Sequence, residues 1–320
     1  MGIKCMNRYL MQHCKNGSIE KKPLNFLSNK KIAIDTSIYL YKYRSQEALH
    51  ENFYSMISLF HKYNIIPIFV FDGKPPVEKL DALRERKALK YEAEDKYNKL
   101  NESLNTIDEN DTELRDNILY EMDKLKRQFV KISNKEVRSV KEIMDNFGVQ
   151  YYDADGEADK VCAYLTLNQC YACVSDDMDM FVYGCKYVVR HMSLINQTIL
   201  LYKMDEILKE LDLTFPLFKQ ICVLSGTDYN IYDNNVSLIE TLKWYREFKK
   251  NNENSESFYE WLQNNTKYIA NYSSLMDIHH MYNFDNIDHE ELDNLNISIN
   301  SQYNKENLEE IMKNYGFIFV

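Results

Sequence analysis

The sequence predicts an α/β fold built on a mostly parallel central sheet flanked by helices, with a helical insertion and a helical C-terminal region. Three observations carry that prediction. Short apolar runs rich in β-branched and aromatic residues (Lys31-Ile-Ala-Ile34, Ile65-Ile-Pro-Ile-Phe-Val-Phe71, Tyr171-Ala-Cys-Val174) read as strands buried on both faces. Each is followed closely by acids: Asp35, Asp72 and Asp177-Met-Asp179. Stretches with helical spacing separate the runs, as parallel strands joined by crossovers require.

Along the chain, Asn7–His13 reads as a short helix and Lys31–Thr36 as the first strand. Phe53, Ile57 and Phe60 fall at helical spacing inside a helix over Ser45–Tyr63, which crosses to the strand Ile65–Phe71. Two prolines in Asp72-Gly-Lys-Pro-Pro76 then end regular structure. Lys79–Ser103 and Asn117–Phe147 are charged and rich in helix formers, joined by the polar Asn105–Asp116. Such helices are either a solvated face or an arch standing off the sheet. A helix over Glu157–Leu167 and a strand over Tyr171–Ser175 follow, then a β-ribbon from Lys186–Arg190 and Thr198–Tyr202. After Asp228 the pattern is helical to the end, interrupted by Asn-rich loops.

A chain of 320 residues can bury a full core. No apolar stretch approaches the roughly 20 residues needed to span a bilayer, and the N-terminus lacks a signal-peptide layout. A soluble, intracellular protein without membrane association is expected. Seven cysteines argue against a disulfide framework, and Cys170-Tyr-Ala-Cys173 lies in a core strand without a second ligand pair, so buried thiols are expected there rather than zinc. The net charge of −10 is uneven. Residues 1–100 hold 18 Lys+Arg against 11 Asp+Glu, whereas residues 251–320 hold 3 against 12. A basic working face is therefore compatible with an acidic total.

A carboxylate just past a parallel strand lies at the sheet's C-terminal edge, where α/β folds place their sites. Taken singly, such an Asp is more often a helix N-cap. Recurrence favours a site: Glu157 and Asp159 add to Asp35, Asp72, Asp177 and Asp179, and Asp228 follows Val223-Leu-Ser-Gly-Thr. Converging carboxylates repel one another and need counterions, and hard divalent cations, Mg²⁺ or Mn²⁺, suit oxygen donors. Lys79, Arg84, Arg86, Lys87 and Lys90 stand at the base of the charged insertion, with positions 79, 83, 86 and 90 on one helical face. Cations beside a carboxylate metal site would hold a phosphodiester over it.

These motifs resemble the structure-specific 5′ nucleases of the flap endonuclease/XPG type. The likeness rests on Met1-Gly-Ile, Ile32-Ala-Ile-Asp35-Thr-Ser37, Val70-Phe-Asp72-Gly-Lys-Pro-Pro76, Asp153-Ala-Asp-Gly-Glu157-Ala-Asp159, Ser175-Asp-Asp177-Met-Asp179, Arg190-His191 and Leu224-Ser-Gly-Thr-Asp228-Tyr229. They run in family order over about residues 1–230.

The resemblance implies a PIN-like nuclease core over residues 1–229 with a helical arch at about 77–146. A helical DNA-binding region over 230–320 would pack on it as one unit. It also implies two Mg²⁺ ions, replaceable by Mn²⁺, on Asp35, Asp72, Glu157, Asp159, Asp177, Asp179 and Asp228, with Lys79 and Arg86 as catalytic cations. The reaction implied is hydrolysis of DNA at a 5′ flap or at branched and nicked structures, leaving a 5′-phosphate and a 3′-hydroxyl. A 5′→3′ exonuclease activity would accompany it, in replication, repair or recombination.

Tyr41 matches the family's base-stacking aromatic, although Tyr39, Tyr41 and Tyr43 are equally compatible with packing. Gly2, Arg84, Lys87, Lys90 and Arg190 are further candidate DNA contacts, and Lys243, Arg246, Lys249 and Lys250 candidate duplex contacts. A monomer is expected, in the nucleus or at a viral or organellar replication site.

Departures from the family pattern matter too. Asp159 stands where the family carries Glu, and Asn230–Val236 lacks the glycines of the family's duplex-gripping turn. The arch connection 106–113 is acidic, and the C-terminus lacks a sliding-clamp peptide. Alternatives within the same chemistry are a Holliday-junction or bubble nuclease and a 5′→3′ exoribonuclease. From a different class, the alternative is a catalytically inactive nucleic-acid-binding scaffold.

Overall fold

A computed structural model describes residues 3–104, 112–230, 237–251, 257–298 and 303–318. Its centre is a seven-stranded sheet of β1 (Ile19–Pro23), β2 (Lys31–Asp35), β3 (Ile66–Phe71), β4 (Gln150–Asp153), β5 (Ala172–Val174), β6 (Tyr187–Ser193) and β7 (Thr198–Lys203). The spatial order is β1-β7-β6-β5-β2-β3-β4. Five strands from β4 to β6 are parallel, and β7 and β1 add antiparallel at one edge. The fold is thus the predicted mostly parallel α/β sheet. From β2 the chain moves outward through β3 to β4, then returns to lay β5 on the other side of β2. That reversal between β2 and β5 opens a crevice at the C-terminal ends of the strands, the place where such sheets hold ligands.

Alternation along the buried strands feeds two cores. Ala33, Ile68, Val70 and Cys173 face one, and Ile32, Ile34, Phe69 and Val174 face the other. The first core packs under α1 (Met6–His13), with α2 (Thr36–Ser45) and α3 (Leu49–Lys62) lying on the second. The insertion comprises α4 (Leu80–Leu104) and α5 (Thr112–Lys126), followed by α6 (Asn134–Phe147) on the second core. Next come α7 (Ala158–Asn168), α8 (Asp179–Val182), α9 (Met204–Leu211) and α10 (Phe215–Leu224) on the first core. The C-terminal helices divide: α11 (Leu238–Asn251), α12 (Phe258–Asn265), α13 (Tyr272–Met281) and α14 (His289–Asp293) join the first core. Helix α15 (Lys305–Asn314) sets Leu308 and Met312 into the second.

Several boundaries differ from expectation. The helix read over Ser45–Tyr63 starts later, as α3 at Leu49, after a break where Glu47 takes a left-handed φ of 56°, and α2 precedes it as a separate, unpredicted helix. The helix read over Asn117–Phe147 is two. Ser133 and Glu136 form a reciprocal capping box that starts α6 afresh. Strands β1 and β4 and helices α9 and α10 add to the predicted elements. Residues 105–111, within the expected polar connection, and 231–236, within the glycine-less segment, lie outside the described residues. Among the described residues no helix is long and apolar enough to cross a membrane. All seven cysteines are free, and Cys170 and Cys173 are buried as expected.

Candidate metal centre and nucleic-acid cleft

Register places the acids. Asp35 closes β2 opposite Val70 of β3, and Asp72 follows one residue after Phe71. Glu157 and Asp159 flank the start of α7, Asp177 and Asp179 follow β5, and Asp228 follows α10. The N-cap alternative fits only part of the set, since Asp177 Oδ1 accepts the Asp179 amide at 3.1 Å at the start of α8. Asp35 and Glu157 occupy the N-cap positions of α2 and α7, and neither side chain caps its helix. Instead Asp72, from a different loop, accepts the Ala158 amide at 2.8 Å and so satisfies the first turn of α7. Gly73 makes that approach possible. Its amide donates to Gly156 O at 2.7 Å and the Lys74 amide to Asp155 O at 3.0 Å, locking the two loops backbone to backbone. A Cβ at Gly73 would collide with the carbonyls of Ala154 and Asp155.

The carboxylates gather around a cleft of about 540 Å³ lined by Asp35, Asp72, Glu157, Asp159 and Asp177 together with Tyr41, Lys79, Arg86, Lys87 and Lys90. Asp35 and Asp177 are almost fully buried, and Asp179 lies buried behind them. Burial, with Asp72 and Asp177 adding repulsion, pushes the Asp35 carboxyl up to about 7. Asp159 is raised by burial and by Asp35 and Asp177, and Asp179 by burial and by Asp177 and Asp228. Hydroxyls hold individual oxygens. Ser175 donates to Asp35 at 3.1 Å and Tyr282 to Asp179 Oδ2 at 3.0 Å, while Tyr229 donates to Glu157. Asp179 Oδ1 is buried and has no hydrogen-bond partner among the described residues.

Two cations reach into this negative field. Lys79 pairs with Glu157 and lies 3.7 Å from Asp228, and Arg86 pairs with Asp228. Burial opposes the charge on Lys79, yet Glu157, Asp159 and Asp228 outweigh it and hold the amine above its usual range. Arg86 follows the same logic through Asp228. These pairs draw Glu157 and Asp228 toward the cations. Among the described residues no three His, Cys, Asp or Glu side chains stand as a ready-made metal cage. The donor set still suits a hard divalent cation: every donor is an oxygen, the field is strongly negative, and one buried carboxylate oxygen is unsatisfied.

The remaining candidates separate by position. Tyr39 and Tyr43 are buried packing residues, whereas Tyr41 is 46% exposed at the cleft with the Lys90 amine 4.7 Å over its ring. Lys87 is exposed at the cleft, and Arg84 faces away, paired with Asp81 at 2.7 Å. Arg190 was expected to touch DNA, but it is only 6% exposed and its guanidinium is committed to Asn7 Oδ1 (2.6 Å) and Asp176 O (2.7 Å). It is a bridge between β6 and α1. On α11, Lys243 and Lys250 pair with neighbouring acids and Lys249 with Asp212, while Arg246 is exposed. Gly2 lies outside the described residues. Sequence reasoning missed Ser175, Tyr229 and Tyr282 as partners of the carboxylates. The first two sit inside motifs already noted, and Tyr282 has no local signal.

The sequence matches the XPG N-terminal domain over residues 1–93 and the XPG I-region over residues 148–228. Flap endonuclease 1 of Methanococcus aeolicus is 30% identical over 236 residues, which cover 68% of each chain. The Aedes aegypti flap endonuclease 1 is 30% identical over 249 residues, covering 72% of this chain but 62% of that one. In fold, the catalytic core of Rad2 superposes with a TM-score of 0.66 at 20% identity over 99% of this chain and 96% of that one. The Methanococcus jannaschii flap endonuclease-1 gives 0.60 at 20% over 93% and 90%. Human GEN1 bound to Holliday-junction DNA gives 0.62 at 16% over 98% and 74%. The expected PIN-like architecture is therefore present, and the acids predicted from strand ends meet at the edge of this shared fold. The chain belongs to the XPG family of flap-endonuclease-type nucleases.

Proposed function

We propose that this chain is a divalent-metal-dependent, structure-specific 5′ nuclease that hydrolyses DNA at 5′ flaps and trims from 5′ ends, with Mg²⁺ as the working ion. The observation that carries this reading is the placement of five carboxylates with Lys79 and Arg86 on one cleft at the strand-order reversal. Asp35, Asp72, Glu157, Asp159, Asp177, Asp179 and Asp228 would hold the metals, and two are proposed because seven carboxylates exceed what one ion neutralises. When bound, the ions supply charge stabilisation and a nucleophile at neutral pH.

The chain's own residues do the rest. Lys79, just before helix α4, and Arg86 on that helix already reach the carboxylates, so both would contact an incoming phosphodiester, while Glu157 and Asp228 would serve as metal ligands. Tyr41 at the cleft mouth offers a face on which a terminal base can stack, and Lys87 and Lys90 offer phosphate contacts. The insertion of α4 and α5 would form an arch for a 5′ strand to pass. Helix α4 packs along α5, Lys131 pairs with Glu94 at 2.9 Å, and Lys90 donates to Val130 O at 3.2 Å.

The test is Mg²⁺-dependent cleavage of end-labelled substrates: a 5′ flap, a blocked-end flap, a four-way junction, a nicked duplex and single-stranded RNA. Cutting near the flap junction, abolished by blocking the 5′ end and by Asp177→Ala, is expected. Lys79→Ala should lower the single-turnover rate about 10²–10³-fold. Preference for the junction or RNA would redirect the substrate assignment, and absence of cleavage in both Mg²⁺ and Mn²⁺ would refute the nuclease reading for this chain.

A further inference from the structure

We infer that Tyr282, from the C-terminal helical region, is a positioning residue of the metal centre: it holds one oxygen of Asp179 so that the other is presented to a divalent cation. The inference rests on the metal-dependent reading above. Tyr282 follows α13, is 2% exposed, and lies 103 residues beyond the carboxylate to which it donates at 3.0 Å. Its ring is fixed by Tyr183 (centroids 5.0 Å) and Tyr229 (5.7 Å), so the hydroxyl has little freedom to leave Asp179. The backbone is pinned too, since the Tyr282 carbonyl faces the buried Lys219 amine at 3.4 Å.

Asp179 is then asymmetric. Oδ2 accepts from Tyr282, while Oδ1, equally buried, accepts from no described residue. A buried carboxylate oxygen without a donor is costly and seldom retained without use. With one oxygen tethered, the carboxylate cannot rotate freely, and the untethered oxygen is a preset ligand position. Hydrogen bonds of this outer kind typically change metal affinity about 10–100-fold when removed.

Mn²⁺ binding, followed by electron paramagnetic resonance and calorimetry on the full chain without DNA, tests this for wild type, Tyr282→Phe, Asp179→Asn and the double variant. Tyr259→Phe is the control, because it removes the hydroxyl of another buried tyrosine, one whose described partners are Gln220 O (3.1 Å) and His279 Nδ1 (3.4 Å). Tyr282→Phe is expected to raise the Mn²⁺ Kd about 10-fold or more and to change the resonance spectrum. Its metal-free Tm should stay within that of Tyr259→Phe. The double variant should bind no more weakly than Asp179→Asn alone.

A Kd within twofold of wild type would overturn the inference, as would losses that add in the double variant. If Tyr282→Phe loses its fold, Asp179→Asn against wild type still decides: an unchanged spectrum there removes Asp179 from the site and the inference with it. Wild type that binds no Mn²⁺ would sink the metal-centre reading itself, a result distinguishable from failure of the Tyr282 contact alone.

Discussion

At the scale of single residues, two positions yield predictions, and at the first the molecule tolerates charge where ordinary burial forbids it. Lys219 on α10 is 8% exposed and makes hydrogen bonds to Asn283 Oδ1 (3.0 Å) and Tyr282 O (3.4 Å). Burial, reinforced by Lys160 and only partly offset by Asp285, lowers its amine to about 8. A base whose pKa is depressed by folding binds its proton less tightly in the folded chain, so the destabilisation is full below about 8. It is relieved as pH rises from there toward the ordinary lysine value of 10.5. Lys219→Met should therefore stabilise at pH 7 by on the order of 1–2 kcal/mol, with the gain shrinking by pH 9.5. Melting curves of both proteins across that range check the sign.

Gly73→Ala is the second case. Its Cβ would press on backbone carbonyls of the 154–155 loop, which cannot yield as a side chain can, and Asp72 would shift off the Ala158 amide. A misplacement of that kind costs about 10²-fold in single-turnover cleavage, while the far-ultraviolet dichroism stays native. A rate within threefold of wild type would show that the two loops need not be locked.

The carboxylates were readable in the sequence because a short apolar run ending in an acid is a local pattern. Tyr282 was not, because its partner lies 103 residues away and only tertiary packing joins them. Arg190 was misread for the complementary reason: a charged residue in a motif looks available until its acceptors, Asn7 and Asp176, come into view.

At the scale of elements, the parallel strands were legible because both faces are buried and the runs are continuous, whereas β1 and β4 were not. Strand β1 (Ile-Glu-Lys-Lys-Pro) and strand β4 (Gln-Tyr-Tyr-Asp) lie at the two sheet edges and lack an apolar run, so pairing rather than composition makes them strands. The charged insertion was readable as helix but not its division, since periodicity continues across a break that a cap defines. The signature was present: Ser133-Asn-Lys-Glu136 is the pattern of a capping box. Glu136 there also pairs with Arg44 of α2 at 2.6 Å, so the cap ties the returning insertion to the core helices. Ser133→Ala removes the side-chain acceptor for the Glu136 amide and should cost about 1 kcal/mol, a fall in Tm of about 2 °C. Ser133→Asp should restore most of it, because the loss is of a cap acceptor and not of packing. Calorimetric scans of the three proteins distinguish these outcomes, and an equal loss in both variants would assign the effect to local repacking.

At the scale of the whole molecule, the match to the XPG I-region ends at residue 228, yet the packing does not. Phe258, Tyr259, Leu262 and Tyr282 are buried at 2% exposure or less in the same core as Val161, Met180 and Ile221, which underlie the carboxylates. Helix α15 crosses to the opposite face and buries Leu308 and Met312 beside Val140 and Ile143 of α6. A fragment ending at residue 230 would expose both surfaces. Each large core side chain left unburied forfeits roughly 1.5–3 kcal/mol, against a total stability of about 5–15 kcal/mol for a typical domain. Residues 1–230 alone should therefore show no cooperative melting transition, bind a hydrophobic dye strongly, and lack Mn²⁺ affinity. A fragment ending at residue 298 keeps Tyr282 and the first core but loses α15. It should melt cooperatively at a lower temperature and retain Mn²⁺ binding. Cooperative folding of the 1–230 fragment with full metal affinity would instead make the catalytic half an autonomous unit, and would reduce the C-terminal helices to an attachment rather than a wall of the site.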